Sequence, residues 1–287
     1  WQAFSGEFNF FFLKLKQGDA EWVVPYTITG QQIKMLLEQV LLLPQSNYKF
    51  NPVNLNPYFN AQVTQIFKNK YLSPRPQAPT LQLPWQGIGN WCYPLVNATI
   101  NDSGMRSKAG VDNKIWFKEL PLQTPSSFDS NNIIFTSRWD NYPAAVTVPL
   151  NGKASYAYLL VAGSTNHMQS QLMNAKIIVT YTDGQEEELL LINPFNWNPI
   201  EQEYLNDGYA FKPDRYSTYR LLLKSGEFVK DIKDFASLKG FSNRVIDGGA
   251  ATLLGMELNG DKELKSLKIE TLANDVVVGL MSVTLVK

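Results

Sequence analysis

The sequence predicts a mainly β protein built around an antiparallel β-sandwich. From residue 128 onward, short runs of β-branched and aromatic residues recur, and Asp, Asn, Gly or Pro separates them. The segment TYTDGQEEELLL (180–191) carries an Asp-Gly pair between two alternating runs, which is typical of a tight hairpin turn. A convincing helical period occurs in one segment alone, near the N-terminus. These observations favour sheet over helix.

Residues 1–82 are predicted to form an N-terminal segment that precedes the sandwich. Two β-rich runs within residues 7–28 flank the tripeptide QGD, which indicates a hairpin. The stretch QQIKMLLEQVLLLP (31–44) spaces its apolar residues by three and four positions, so a helix that ends at its proline is expected. Repeated prolines between residues 46 and 84 favour an extended connector that lies over a surface.

Residues 83–287 are predicted to form the sandwich itself. The Asn-, Asp-, Ser- and Gly-rich segment 97–116 is expected to open this domain through turns. Eight later runs have the composition and length of its strands: 131–139, 144–150, 154–162, 175–182, 186–192, 219–224, 264–271 and 275–287.

The composition argues against several classes of partner. Lys plus Arg and Asp plus Glu both total 26, so no net field attracts nucleic acid or an anionic membrane surface. No apolar run reaches the roughly 18 residues that span a bilayer, so no membrane span is expected. The single cysteine, Cys92, excludes an internal disulfide framework and a multi-cysteine zinc site.

Several motifs of the predicted sandwich resemble those of known proteins. The run ending in GKASYAYLLVAGST, the hairpin AKIIVTYTDGQEEELLL and the closing strands LKSLKIETLANDVVVGLMSVTLVK resemble galactose-binding-like jelly-roll modules of bacterial carbohydrate-active proteins. More narrowly, WQGIGNWCYP, NDSGMR, AGSTNHMQS and NPFNWNPIEQEYLNDGYAF are similar to an uncharacterised family of saccharolytic gut bacteria, domain of unknown function 4450. The resemblance covers residues 83–287. It implies a jelly roll in a periplasmic or extracellular carbohydrate-processing protein, with a catalytic domain upstream in the same polypeptide.

Aromatic and amide-rich loops of the predicted sandwich suit a carbohydrate ligand. Aromatic rings stack on the C–H faces of sugars, and neighbouring polar side chains bind the hydroxyl groups. The expected ligand contacts are Arg138, Trp139, Asp140 and Tyr142 in one loop, Asn166, His167 and Gln169 in a second, and Trp197, Glu201, Gln202 and Tyr204 in a third. As an alternative, the segment around Trp197 lies over the sandwich as a lid.

No catalytic residue is predicted. Ser164 and Thr165 lie close to His167, the only histidine, but catalytic triads are normally assembled from distant parts of a chain. The G-x-S-x-G elbow is also missing from this stretch. Glu201 and Glu203 could share one face of an extended segment, as the carboxylate pair of a glycosidase would require.

The sequence contains few residues that could bind a metal or a cofactor. One His and one Cys leave oxygen ligands, which suit Ca²⁺, and Asp102, Asp112 and Asp183 lie in expected turns. A structural Ca²⁺ is therefore the single cofactor that we consider. Three functions stay open: a non-catalytic module that binds glycan weakly or supports a neighbouring catalytic domain, a part of a glycoside hydrolase with acids in residues 195–209, and a purely structural domain.

Overall fold

Two antiparallel sheets lie face to face in the computed structural model and form a β-sandwich. The structure describes residues 9–17, 20–28, 41–69, 99–138, 141–165, 172–204, 218–230, 232, 236–237, 243–274 and 276–287. The chain divides into two compact units, residues 1–40 and residues 41–287. The sandwich lies in the second unit, so the predicted fold class is confirmed.

The first unit contains a β-hairpin. Its strands β1 (Asn9–Gln17) and β2 (Ala20–Ile28) pair in antiparallel register along nine residues each. The hairpin predicted around QGD is therefore confirmed. Of the helix predicted over residues 31–44, residues 31–40 lie outside the described part of the chain, and residues 41–44, which are described, are not helical.

The second unit holds sixteen strands and three short helices among its described residues. The strands are β3 (Phe50–Pro52), β4 (Lys114–Phe117), β5 (Leu120–Gln123), β6 (Ile134–Ser137), β7 (Ala145–Pro149), β8 (Tyr156–Thr165), β9 (Met173–Tyr181), β10 (Glu186–Ile192), β11 (Gln202–Tyr204), β12 (Tyr219–Leu222), β13 (Glu227–Val229), β14 (Ala236–Ser237), β15 (Asn243–Val245), β16 (Ala250–Glu257), β17 (Leu264–Thr271) and β18 (Val276–Val286). The helices are α1 (Ser103–Ala109) and the 3-10 turns Asn56–Tyr58 and Val63–Gln65. Within the described ranges, no helix is long and apolar enough to cross a membrane.

The larger sheet has the order β13-β12-β16-β8-β18-β3, and β6 also pairs with β18. The smaller sheet has the order β10-β9-β17-β7. Two minor sheets, β11-β15-β14 and the hairpin β4-β5, complete the unit. Each of the eight runs predicted as strands contains one, whereas β3, β4, β5, β11 and β13 to β16 were not predicted.

The turn between β9 and β10 forms as its sequence predicts. Gly184 has a φ of 84°, a left-handed conformation that glycine adopts without steric cost. The backbone N–H of Gln185 donates to the Asp183 carboxylate at 2.9 Å, so the aspartate side chain stabilises the turn. Turn chemistry between neighbouring residues therefore sets the register of this hairpin.

An apolar core fills the space between the two main sheets. Leu159 and Val161 of β8 and Val278 of β18 meet Ile177 of β9 and Leu267 of β17, and all five are fully buried. Burial of each such side chain stabilises the fold by about 1.5–3 kcal/mol. This core holds the two sheets together.

The larger sheet is covered on its outer face as well. Tyr158 and Leu160 alternate with the core residues of β8 and pack in a second cluster with Met105 of α1 and Ile115 of β4. All ten residues of β8 and all eleven of β18 are consequently buried. Coverage on both faces explains why these two strands read as continuous apolar runs.

The start of the second unit is attached to β8 through two tyrosines. The backbone N–H of Leu42 donates to the Tyr156 hydroxyl at 3.0 Å, and the Tyr158 hydroxyl donates to the Leu42 carbonyl at 2.7 Å. Further along, β3 pairs with β18. Residues 41–69, expected in the N-terminal segment, thus pack with the sandwich, and the expected boundary after residue 82 lies outside the described residues.

The helix α1 lies where the sequence analysis expected turns, so that expectation is wrong for residues 103–109. The helix has seven residues and no side-chain cap at its N-terminus, so local propensity favours it weakly. Tertiary contacts hold it instead, because Met105 and Arg106 are almost completely buried. Arg106 also donates to the backbone carbonyls of Ser127 and Ser130, which fastens the helix to the following loop.

Candidate functional site

The structure describes some of the expected ligand contacts and not others. Trp139, Asp140, Asn166, His167 and Gln169 lie outside the described residues, and Tyr204 is described in its backbone alone. Arg138 is exposed, and its guanidinium donates to the Leu272 carbonyl at 2.9 Å. Tyr142 is buried, and its hydroxyl accepts a hydrogen bond from the Asn69 amide at 2.6 Å.

The third expected loop packs into the protein. Trp197 is 1% exposed and belongs to the core between the two main sheets. Its indole N–H donates to the Asn174 side-chain oxygen at 3.2 Å, so the polar end of the ring is satisfied internally. In this position the indole presents no face to a ligand.

A second group from this loop forms what we call the buried carboxylate cluster, made of Ser164, Glu201, Glu203 and Arg220. The Ser164 hydroxyl donates to Glu201 Oε1 at 2.9 Å, while the buried Glu201 Oε2 has no hydrogen-bond partner among the residues that the structure describes. Burial away from water raises the pKa of Glu201 to about 7, although the Ser164 hydrogen bond and the charge of Arg220 act in the opposite direction.

Arg220 organises the rest of the buried carboxylate cluster. Its guanidinium lies 3.5 Å from Glu203 and donates to the backbone carbonyls of Pro199, Gln202 and Ala250, each at 2.8 Å. These bonds connect β12 to β11, to the segment before it, and to β16. One buried cation therefore joins three separate stretches of backbone.

Glu201 and Glu203, the carboxylates considered for hydrolysis, are turned toward internal partners. Glu203 accepts a hydrogen bond from the Asn198 amide at 3.1 Å and faces Arg220, whereas Glu201 faces Ser164. The two residues are 7% and 2% exposed. A glycosidase requires both carboxyl groups to flank a sugar, and in this arrangement neither is open to one.

Two of the aspartates considered for calcium take part in ion pairs. Asp102 accepts hydrogen bonds at 2.8 Å from the Arg106 guanidinium and from the Asn132 amide. Lys262 lies 2.6 Å from Asp183, and its hydrogen bond lowers the pKa of that carboxyl. Across the described residues, no group of three or more His, Cys, Asp or Glu side chains is placed to hold a metal ion.

A groove of about 670 Å³, which we call the aromatic groove, opens on the surface formed by β4, β12, β13 and α1. Its aromatic lining residues are Trp116, Phe117, Tyr219 and Phe228, and its charged ones are Lys108, Lys118 and Glu227. The volume lies within the range of small-molecule sites, and the mixture of an apolar floor with a few polar groups is typical of them.

The strand pairing explains how the aromatic rings come together. Side chains alternate along β4, so Phe117 turns inward while Trp116, at 56% exposure, stands at the rim. The Phe117 ring centroid lies 4.7 Å from that of Tyr219 and 5.0 Å from that of Phe228. Three tilted rings from separate strands therefore form the apolar floor, in which Phe117 is 4% exposed and the partly exposed Tyr219 and Phe228 present their surface to the groove.

Lysines surround this floor. The Lys118 ammonium lies 5.9 Å from the Phe117 ring centroid, and the Lys230 ammonium lies 6.0 Å from that of Tyr219. Lys118 occupies the turn between β4 and β5 with a φ of 52°, a conformation that favours glycine. A lysine is thus present where the backbone alone would favour a residue without a side chain.

The helix α1 supports the groove through a close backbone approach. Gly104 lies against the backbone of Lys224, in the turn between β12 and β13, so that a Cβ on Gly104 would overlap the Lys224 carbonyl. Gly226 in the same turn has a φ of 69° and lies against Gly104. Two glycines therefore allow the helix to contact the hairpin that carries Phe228.

Replacing Gly104 by alanine is expected to lower the free energy of unfolding by about 2 kcal/mol. Alanine favours a helix interior over glycine by about 1 kcal/mol, but the backbone overlap outweighs that gain. Urea unfolding provides the measurement. Gly260→Ala is the matched control, since a Cβ there meets Ser155 at an ordinary 3.4 Å. Equal stability of the two variants would contradict a tight approach.

The aromatic groove was not predicted from the sequence, because its residues come from two distant segments. One of these segments was interpreted as turns, and the other as a single strand. The alternation in KIWF (114–117) was the available local signal for β4. Nothing in either segment alone indicates that Phe117 meets Tyr219.

The chain was compared with protein-family models and with curated proteins, and neither comparison finds a match.

Proposed function

We propose that the sandwich is a non-catalytic carbohydrate-binding module and that the aromatic groove is its binding site. The observation that carries the proposal is the floor of three rings beside the exposed Trp116. Pyranose rings present C–H faces that stack on aromatic side chains, and polar groups at the rim bind their hydroxyls. The resemblance to galactose-binding-like modules supports the same ligand class.

The proposal also concerns the protein in which the module works. The resemblance supports a carbohydrate-processing protein of the periplasm or cell exterior, in which a neighbouring catalytic domain carries out the chemistry. A module of this kind holds its partner domain near the glycan and raises the local substrate concentration.

A second candidate function is structural support of a neighbouring domain without glycan binding. The burial of Trp197 and Tyr142 favours it, because these aromatic side chains contribute to packing rather than to an open surface. The hydrolase alternative lacks a comparable observation, since Glu201 and Glu203 face internal partners.

Calorimetric titration of the full chain with a panel of oligosaccharides tests the proposal. We expect Trp116→Ala to weaken binding of the responding oligosaccharide at least tenfold, about 1.4 kcal/mol, because the rim loses its stacking surface. Phe128→Ala is the matched control, since Phe128 is 57% exposed and lies outside the groove lining. Absence of binding across the panel, or equal affinity of both variants, would reject the groove as a glycan site.

A further inference from the structure

Charged side chains at the aromatic groove do not cancel, although those of the whole chain do. The full sequence has a formal net charge of zero. At the groove, Lys108 and Glu227 form an ion pair at 3.7 Å and offset one another. Lys118 and Lys230 remain beside the floor, and neither pairs with a carboxylate within the part of the chain that the structure describes. Lys118 lines the groove and Lys230 lies over one of its rings, so these two lysines and the Lys108–Glu227 pair together carry a net positive charge.

The two lysines lie close to the aromatic rings of the floor. Each ammonium lies over the face of a floor ring, Lys118 at 5.9 Å from the Phe117 centroid and Lys230 at 6.0 Å from that of Tyr219. A sugar that binds in the groove therefore meets these ammonium groups as well as the aromatic rings. An anionic substituent on that sugar would receive charge-assisted hydrogen bonds, which are about twice as strong as neutral ones.

Exposure makes both lysines available to a ligand. Lys118 and Lys230 are exposed, so each ammonium can reorient on its flexible stem toward an anion.

We infer that the aromatic groove takes an acidic saccharide, in which carboxylate or sulfate groups on the sugar rings meet Lys118 and Lys230. The inference rests on the proposed function, since it names the ligand class of the same site. Carboxylates and sulfates share the chemistry that these lysines recognise, and separate probes distinguish the two.

The experiment compares acidic oligosaccharides with neutral counterparts of the same backbone. Oligogalacturonate and oligomannuronate are titrated beside their methyl esters, and a sulfated galactan oligosaccharide beside its desulfated form. We expect one acidic probe to bind at least tenfold more tightly than its counterpart at low ionic strength. The difference should shrink as salt rises from 50 to 500 mM, because salt screens exposed charges.

Paired variants localise the charge effect. Lys118→Gln with Lys230→Gln is expected to weaken the acidic probe about tenfold and to change the affinity of its neutral counterpart less than twofold. Lys153→Gln with Lys265→Gln is the matched control, since both residues are exposed lysines outside the groove lining. An equal loss of affinity in both pairs would overturn the inference, because it would show that any exposed lysine attracts the acidic probe, wherever it lies on the surface.

The outcomes separate the inference from the proposed function. If a neutral counterpart binds as tightly as its acidic form, and Trp116→Ala weakens both, the acidic preference is rejected while the glycan site stands. If no probe binds, or if binding is unaffected by Trp116→Ala, the proposed function and the inference fail together.

Discussion

Replacing Arg220 by methionine is expected to lower the free energy of unfolding by about 4 kcal/mol. Methionine fills much of the space of the arginine side chain but removes the cation that lies 3.5 Å from the buried Glu203 carboxylate. It also removes the donors to the carbonyls of Pro199, Gln202 and Ala250. Urea unfolding of the full chain, followed by tryptophan fluorescence at pH 7, provides the measurement.

Two further variants make the Arg220 result interpretable. Arg138→Met is the matched control, because Arg138 is exposed and donates a hydrogen bond to the single carbonyl of Leu272, so a loss under 1 kcal/mol is expected. Adding Glu203→Gln to Arg220→Met should recover about 1–2 kcal/mol, since it removes the buried charge. Equal losses for the two arginines would show that the buried ion pair contributes no more than a surface contact.

Replacing Glu201 by glutamine is expected to change the pH dependence of stability. The pKa of Glu201 is raised from 4.5 to about 7 by burial, so the folded state binds this proton more tightly than the unfolded state. The resulting stabilisation is fully present below about pH 4.5 and is lost as the pH rises through 7. Glutamine has nearly the same shape and does not titrate in this range.

The difference in free energy of unfolding between the Glu201→Gln variant and the wild type isolates this effect. Between pH 4.5 and pH 7.5, the wild type should lose about 3 kcal/mol of stability relative to the variant. Urea titrations at several pH values provide the profile. For Glu263→Gln, a matched control at an exposed glutamate, the difference should move by less than about 0.5 kcal/mol. A constant difference for Glu201→Gln would show that the carboxyl is hydrated in the folded protein.

The strand β12 connects these stability predictions to the proposed binding site. Successive side chains point to opposite faces of a strand, so Tyr219 faces the aromatic groove while Arg220 enters the buried carboxylate cluster. Arg220 holds β12 against β16 through the Ala250 carbonyl. The buried cluster therefore positions the strand that supplies one of the three floor rings.

Strand prediction succeeded where the signal is carried by neighbouring residues. The β-branched and aromatic content of NNIIF and KIIVTY predicts strands, and the Asp183–Gly184 pair predicts the turn between β9 and β10; both signals are local. The helix α1 was missed for the opposite reason. Its polar sequence SGMRSKA favours turns locally, and it is helical because Met105 and Arg106 pack against distant parts of the chain.

The candidate site was predicted less well than the fold, because composition does not report exposure. Trp197, Glu201 and Gln202 have the side chains of a glycan site, yet all three are buried. Trp116, which is exposed beside a groove, lies in a segment that was interpreted as turns. An aromatic residue in a polar loop has the same sequence signature whether it covers a core or meets a ligand.

The sequence by itself determined the mainly β class, most strands of the two main sheets and the turn between β9 and β10, because these follow from residue composition and turn chemistry within a few residues. Tertiary structure alone decided which polar groups are buried and which aromatic rings meet. Ser164 and Glu201 are 37 positions apart, so nothing in the sequence around either residue predicts their contact. Phe117 and Tyr219 meet because separate strands converge, and convergence depends on packing across the whole sheet.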